Sequence, residues 1–460
     1  MNLSEVAVAL NAEFIGNDVS FTHVSTDTRT LQPGELFVAL SGPNFDARRF
    51  LSVAKNKGAI AAVVDKKSVA PVADELNLDN ELNMLRVFDT RKAFGRLAVI
   101  NRQRFQHCTV GITGSSGKTT VKKMVATILQ EAGKVLATKG NLNNDIGVPI
   151  TLLSIADEHR YAVVEMGASA PGDISYLAQL VAPDIALVTN AGNAHLEGFG
   201  SIDAIAKEKG SLYSALSASG VAVVNLDDVN APSWISQVEG KRCFTFSLSS
   251  TDADVFASDL GVSSAKGNSF NLHYQDGFVE ITLAMLGRHN VLNGLAAATV
   301  SLAAGVTLSQ VQVGLSKVGS EKGRLHTLSA VNGALLIDDS YNANSDSVKA
   351  AVNVLSEFTQ SETILVLGDL AELGKTESVL HQELGVYARN NGVDALFSCG
   401  ALSKFASDGF GANARHFANK QDLILALSER LHGNCVVLVK GSRSAAMDVV
   451  VDALVECEDA

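Results

Sequence analysis

The run Thr113-Gly114-Ser115-Ser116-Gly117-Lys118-Thr119-Thr120 follows an apolar stretch that reads as a strand and leads into a helix from Val121. Residues of these types at this spacing suit a phosphate. Glycines let backbone N–H groups wrap the anion, and the helix start adds positive potential; Lys118 can reach the outer phosphates and Thr119 can offer its hydroxyl to Mg²⁺. The strict G-x-x-x-x-G-K-[ST] pattern needs glycine at 112, but the chain has Ile112, with glycines at 111 and 114. A Gly-rich turn before a helix is the alternative reading. Lys122 and Lys123 read as a solvated face of that helix. Glu165 ends an otherwise apolar strand over 161–166, so its carboxylate is expected beyond the sheet edge, beside the loop, where it suits a hard Mg²⁺ ion. A second motif, Asn419-Lys420-Gln421-Asp422, matches the guanine-reading N-K-x-D pattern. It stands directly before the apolar run 423–431 and reads better as a helix start capped by Asn419, which leaves adenine as the expected base.

These groups need elements to hold them. The chain has 460 residues, length for about three domains. Residues 1–106 read as an α/β module with strands over 35–40 and 59–65, a helix over 45–57 and an exit helix over 90–106. Residues 107–322 carry Val- and Ile-rich runs at 109–113, 161–166, 184–189 and 220–225, expected as buried parallel strands whose tips hold ligand groups. Between 254 and 286 the pattern alternates about a Gln275-Asp276-Gly277 turn, which predicts an antiparallel flap; helices over 291–304 and 308–315 follow. Residues 323–460 repeat a Rossmann-like βαβ series with strands at 334–338, 363–368, 394–398 and 435–440. The fold class is therefore α/β in three tandem modules, with a site expected where they meet.

Composition narrows the partners. Lys plus Arg is 37 against 49 Asp plus Glu, a net charge of −12, which argues against a nucleic-acid or anionic-membrane binder. Five cysteines without a CxxC pair fit free thiols in a reducing compartment, and no apolar run approaches a membrane span. The N-terminus has no basic signal-like region, so the expectation is a soluble, cytoplasmic, monomeric protein.

Further segments follow the loop in order: Gly140 to Pro149 (GNLNNDIGVP), Glu165-Met166-Gly167, Thr189 to Leu196 (TNAGNAHL), Gly287 to Asn293 (GRHNVLN), Gly323-Arg324, Asp338 to Asn344 (DDSYNAN), Leu367 to Gly374 and Lys440-Gly441-Ser442-Arg443. Across all three modules the chain resembles the Mur ligases. The resemblance implies an N-terminal module for a UDP-linked substrate, a central P-loop ATPase-like module and a C-terminal module that closes over ATP. It also implies the family's chemistry on UDP-N-acetylmuramoyl-tripeptide. ATP phosphorylates the terminal carboxylate, and the amine of D-alanyl-D-alanine attacks the resulting acyl phosphate. Ser345 stands where proline is usual in such sequences, and Ala47-Arg48 where Gly-His is common.

By that resemblance, Gly114, Ser115, Ser116, Gly117, Lys118, Thr119 and Thr120 hold the phosphates, and Thr119 and Glu165 an Mg²⁺ ion. His195, by itself a loop histidine, becomes a ligand of a second Mg²⁺. Lys209 is the lysine that reacts with CO₂ to form a metal-bridging carbamate, for which its amine must be neutral. Asn290 and Asn293 hold adenine, although Asn290 could equally be the cap of the helix it opens. Arg324 reaches the γ-phosphate and Asp339 the ribose. Thr28, Arg29, Asn44 and Asp46 form the uridine-diphosphate pocket, although Asp27 and Arg29 could simply pair in a turn. Tyr341, Asn342, Asn344, Lys440 and Arg443 are candidates for holding a substrate carboxylate. Two other functions compete: a sibling ligase such as folylpolyglutamate synthase, which lacks a separate UDP-binding module before the loop, and a P-loop nucleotide switch, which leaves His195, Lys209 and Gly287–Asn293 without roles.

Overall fold

The structure, a computed structural model, describes residues 1–42, 45–66, 82–192, 196–261 and 267–456. Three sheets follow one another along the chain. The first runs in the order Glu13–Ile15, Asn83–Val87, Ala61–Asp65, Leu36–Val38, Val24–Ser25, parallel except at its first strand. The expected helix over 45–57 begins late. Ser41–Gly42 and Phe45–Asp46 pair as a small antiparallel ribbon, Ala47–Phe50 forms a 3-10 turn capped by Asp46, and the helix covers Leu51–Asn56.

Helix Thr90–Arg104 ties this module to the next. Asp89 caps its start, accepting from the Lys92 N–H, and near its end the buried Arg102 donates to the carbonyls of Val181 and Ala182 at 2.8 and 2.9 Å. The central sheet has nine strands, seven of them parallel from Val135–Ala137 to Val255–Ser258, with Cys108–Thr113 between Tyr161–Glu165 and Ile185–Val188. Both faces are covered. Ile112, Val163 and Leu187 pack beneath helices Lys118–Gln130 and Arg288–Ala303, whereas Val164, Ala186 and Val188 face the layer holding Tyr213 and Trp234. Strands buried on both sides lose the polar alternation of a half-exposed sheet, hence the unbroken apolar runs. The antiparallel flap is present as Asn268–Tyr274 paired with Gly277–Leu283.

The third sheet runs His326–Ser329, Leu335–Asp339, Cys435–Lys440, Glu362–Gly368, Ala395–Cys399, Ala414–Phe417, antiparallel only at its first pair. Helix Lys420–Ser428 starts as the sequence suggests, with the Asn419 side-chain oxygen accepting from the Asp422 N–H at 2.9 Å. The stray N-K-x-D is a helix cap. Four cysteines, Cys108, Cys243, Cys399 and Cys435, are free thiols. Among the described residues, no helix is long and apolar enough to cross a membrane.

Candidate active site

The phosphate loop joins strand Cys108–Thr113 to helix Lys118–Gln130, and two of its glycines are required by what surrounds them. Gly114 has φ +149°, and a Cβ there would collide with the Thr189 hydroxyl; Gly117 has φ +81°, and its Cβ would lie 2.6 Å from Asn293 Oδ1. The segment 189–192 buttresses the loop from below. Thr189 Oγ1 donates to the Ser116 carbonyl at 2.6 Å, and Asn190 accepts from the backbone N–H groups of Ser115 and Ser116. Lys118 folds its ammonium onto the carbonyls of Gly114 and Ser115 at 2.7 and 3.2 Å. Burial pushes its pKa down, opposed by Glu165 and assisted by Arg324.

Glu165, 1 % exposed, ends its strand beside this loop. Its Oε1 accepts from Thr119 Oγ1 at 3.2 Å and from Asn143 Nδ2 at 2.9 Å, and its buried Oε2 lies 3.1 Å from the Lys122 ammonium without a well-formed hydrogen bond. The expectation of a solvated Lys122 is therefore wrong. That side chain is 6 % exposed and also donates to the Gly140 carbonyl, because strand 161–165 and the 140–144 loop close over that helix face. Lys123 is half-exposed and pairs with Glu321. Burial works to raise the Glu165 carboxyl, but Lys122 and Lys118 outweigh it and hold it below the ordinary range. A buried, ionised carboxylate with an under-satisfied oxygen, next to a threonine hydroxyl, offers hard oxygen donors of the kind Mg²⁺ takes. The donor set fits that ion.

The adenine candidates sit on the helix facing the loop. The helix starts at Arg288 with Gly287 as its cap, so Asn290 is not the cap and its alternative reading falls. Asn290 is buried and donates to the Leu286 carbonyl at 2.8 Å; its Oδ1 accepts from Asn293 Nδ2 at 3.0 Å, which fixes Asn293 against Gly117.

From the third sheet, Arg324 lies over the Tyr341 ring at 4.3 Å, and Asp339 accepts from Lys440 Nζ at 2.6 Å and from the Leu325 N–H at 3.3 Å. Lys440 also donates to the Asn342 carbonyl, so the structure commits this lysine, expected to hold a substrate carboxylate, to Asp339 instead. Asn344 caps helix Ser345–Leu355 with its oxygen and donates from Nδ2 to Ser116 Oγ in the phosphate loop at 3.2 Å. Arg443 Nη1 pairs with Asp448 at 3.2 Å, and its backbone N–H donates to Asn342 Oδ1. Sequence reasoning missed Asp338. Fully buried, it accepts from the Gly323 N–H at 2.7 Å and from Ser340, and so anchors the segment that presents Arg324. The doubled acid Asp338-Asp339 at a strand end was its signal, since one side chain of such a pair must face inward.

One cavity of about 1200 Å³ gathers these groups. Ser115–Thr120, Glu165, Asn290, Asn293, Arg324, Asp339, Tyr341, Asn342, Asn344, Lys440 and Arg443 all line it. Lys209 lies outside its wall, 1 % exposed, on helix Ile202–Ser214; burial and then Lys118 bring its pKa down to about 7, against the pull of Glu208 and Asp173. Thr28, Arg29 and Asp46 are not on this wall either. Arg29 spends its fork on Asp27 within the turn, and Asp46 holds Arg48, so the pairing alternative describes the first of these pockets. Asn44 and His195 lie outside the described residues.

Comparison with known proteins places this geometry. The Mur ligase middle domain matches residues 112–301, and the Mur ligase glutamate ligase domain matches residues 323–443. The chain is 43 % identical to the UDP-N-acetylmuramoyl-tripeptide–D-alanyl-D-alanine ligase of Escherichia coli K12, over 99 % of this chain and 98 % of that protein. Its fold is similar to the crystal structure of MurF from Acinetobacter baumannii, with a TM-score of 0.89 at 32 % identity over 98 % and 97 % of the two chains. It is also similar to MurF from Thermotoga maritima in complex with ADP, with a TM-score of 0.82 at 24 % identity over 95 % and 98 %. With the phosphate loop and the residues of the third sheet around one cavity, and with relatives that match from end to end, the chain belongs to the Mur ligase family.

Proposed function

We propose that this protein joins D-alanyl-D-alanine to UDP-N-acetylmuramoyl-tripeptide at the expense of ATP, yielding the pentapeptide precursor of peptidoglycan, ADP and phosphate, in the cytoplasm. The observation that carries the reading is the shared cavity: the phosphate loop supplies one wall and Arg324, Asp339 and Asn344 supply another. The separate five-stranded first module argues against a folate ligase, and a simple nucleotide switch leaves the buried Lys209 without a role.

The chemistry sets an electrostatic problem, because an anionic carboxylate must approach an anionic γ-phosphate. Transfer forms a bond from the carboxylate oxygen to phosphorus and releases ADP. The dipeptide amine then forms the C–N bond as phosphate leaves with its oxygen. Lys118 and Arg324 lie close enough to act on one another, and both place positive charge on the cavity wall of a protein whose net charge is −12. Asn293, held by Asn290, presents an amide edge to adenine, and Asp339 offers Oδ1 to ribose while Lys440 secures Oδ2. Thr119 and Glu165 would hold Mg²⁺, which bound there offsets phosphate charge; His195 and Lys209 would serve a second ion. Lys209 supports this role through its burial and a pKa near 7, since a neutral amine adds to CO₂ and releases a proton to leave a carbamate.

The test is phosphate release with ATP and UDP-muramoyl-tripeptide, D-alanyl-D-alanine, both or neither. Release that requires both supports the reading. Turnover independent of the dipeptide overturns it.

A further inference from the structure

Away from the cavity, one group among the described residues combines a carboxylate, an imidazole and a thiol: Glu362, His432 and Cys435, whose ligand atoms all lie within 4.8 Å of one another. Backbone geometry assembles it. Glu362 and Cys435 are register partners on the neighbouring parallel strands Glu362–Gly368 and Cys435–Lys440, so their side chains leave the sheet on the same side. A tight turn brings His432 beside Cys435, with the Cys435 N–H donating to the His432 carbonyl at 2.8 Å. The Glu362 N–H donates to the Asn434 carbonyl at 2.9 Å and Asn434 Nδ2 to the Gln360 carbonyl at 3.1 Å, which pins the turn to the start of the first strand. The chain has no CxxC pair, and this thiol finds its carboxylate 73 residues away.

The spacing suits a tetrahedral ion. Glu362 Oε2 lies 3.0 Å from His432 Nε2 and 3.5 Å from Cys435 Sγ. Zinc bonds of about 2.0–2.3 Å at tetrahedral angles put neighbouring donors about 3.3–3.6 Å apart. Arg430 takes only Oε1 of the carboxylate, through Nε at 2.9 Å and Nη2 at 2.6 Å, and so turns Oε2 toward the imidazole and the thiol. A hydrogen bond to the far oxygen is the usual way a ligating carboxylate is oriented. One carboxylate and one thiolate balance the charge of a divalent ion, and sulfur and nitrogen donors select zinc over Mg²⁺. Cys435, 1 % exposed, forms the floor, and the His432 side chain, 54 % exposed, forms the rim, which leaves the fourth position to water. A ring that ligates through Nε2 carries its proton on Nδ1, so His432 gives up only its long 3.3 Å contact with the Asn434 N–H.

We infer that Glu362 Oε2, His432 Nε2 and Cys435 Sγ bind a zinc ion, with Arg430 orienting the carboxylate and water completing the tetrahedron. The thiol proton leaves to solvent as the sulfur–zinc bond forms. This site is separate from the reaction. Strand Cys435–Lys440 begins at it and ends on the cavity wall, so the ion ties together the far ends of two neighbouring strands of the third sheet and takes no part in phosphoryl transfer.

The experiment titrates the untagged full-length protein, with Mg²⁺ in excess, against Zn²⁺ by calorimetry and against Co²⁺ by absorption, for the wild type, Cys435→Ser, His432→Gln and Glu362→Gln. With Co²⁺ the wild type should show a thiolate-to-metal charge-transfer band and the intense visible bands of a tetrahedral ion, and Zn²⁺ should raise its Tm. No thiol stands among the residues expected to hold Mg²⁺, so the charge-transfer band reports on a cysteine outside the catalytic cavity. Cys435→Ser should abolish it. His432→Gln and Glu362→Gln should each weaken Zn²⁺ binding by about tenfold or more. ADP affinity and Mg²⁺-dependent phosphate release should stay at wild-type levels in His432→Gln. Because Cys435 is buried and His432 is on the rim, His432→Gln decides the matter if Cys435→Ser fails to fold. A wild type without the charge-transfer band, a band that survives Cys435→Ser, or a Zn²⁺ affinity indifferent to His432→Gln overturns the inference.

Discussion

Lys122 and Glu165 show how much one residue's surroundings decide. The lysine is 6 % exposed and its partner 1 %, so neither charge has water to fall back on. Lys122→Met should therefore cost about 3–5 kcal/mol in urea unfolding, because it strands a buried carboxylate, whereas Lys122→Met/Glu165→Gln should recover most of the loss. Simple additivity of the two changes would show that the pair is not coupled. Lys209 gives a pH prediction. Folding lowers its pKa from 10.5 to about 7, so the unfolded chain holds more protons between those values, and this lysine's penalty on stability fades as pH rises through that window. The same shift makes the amine neutral above pH 7. CO₂-dependent activity should rise from pH 6 to pH 8 together with a carbamate ¹³C signal, and Lys209→Ala should lose both, with partial rescue by short-chain carboxylic acids. A pH-independent response to CO₂ would exclude this lysine.

At the scale of elements, the helix that follows the phosphate loop depends on one glycine. Gly117→Ala adds a Cβ at φ +81°, a strain of about 1–2 kcal/mol, and presses it onto Asn293 Oδ1. Calorimetric ADP affinity should drop about tenfold or more with the fold retained; an unchanged affinity would mean that Asn293 moves aside and does not fix the base. The loop, the Asn419 cap and the apolar parallel strands were legible in the sequence because each is specified by neighbours within a few residues. Lys122 was misread because helical spacing does not say which face a distant strand will cover, and strand 161–165 lies about forty residues on. Asp338 was missed for a related reason: its partner, the Gly323 N–H, comes from another segment. Local chemistry reads well from a sequence, and pairings across modules do not.

Over the whole molecule, function requires the third sheet to meet the phosphate loop. Arg324 is held at that meeting by the Asp338–Gly323 anchor and the Tyr341 ring. Arg324→Ala should lower kcat by roughly 10²–10³-fold, with ADP affinity changed less than about threefold, since the group acts on charge that develops during transfer. A fall in ADP affinity that accounts for the whole effect would assign it to ground-state binding. The Asn344–Ser116 contact has a further consequence, for drug resistance. A small inhibitor that satisfies both side chains separately would wedge the sheet from the loop while resembling neither ATP nor peptide. Escape by substituting Asn344 would forfeit the cap of helix Ser345–Leu355 at about 1 kcal/mol, so a resistant variant would lose helix stability with the drug's foothold.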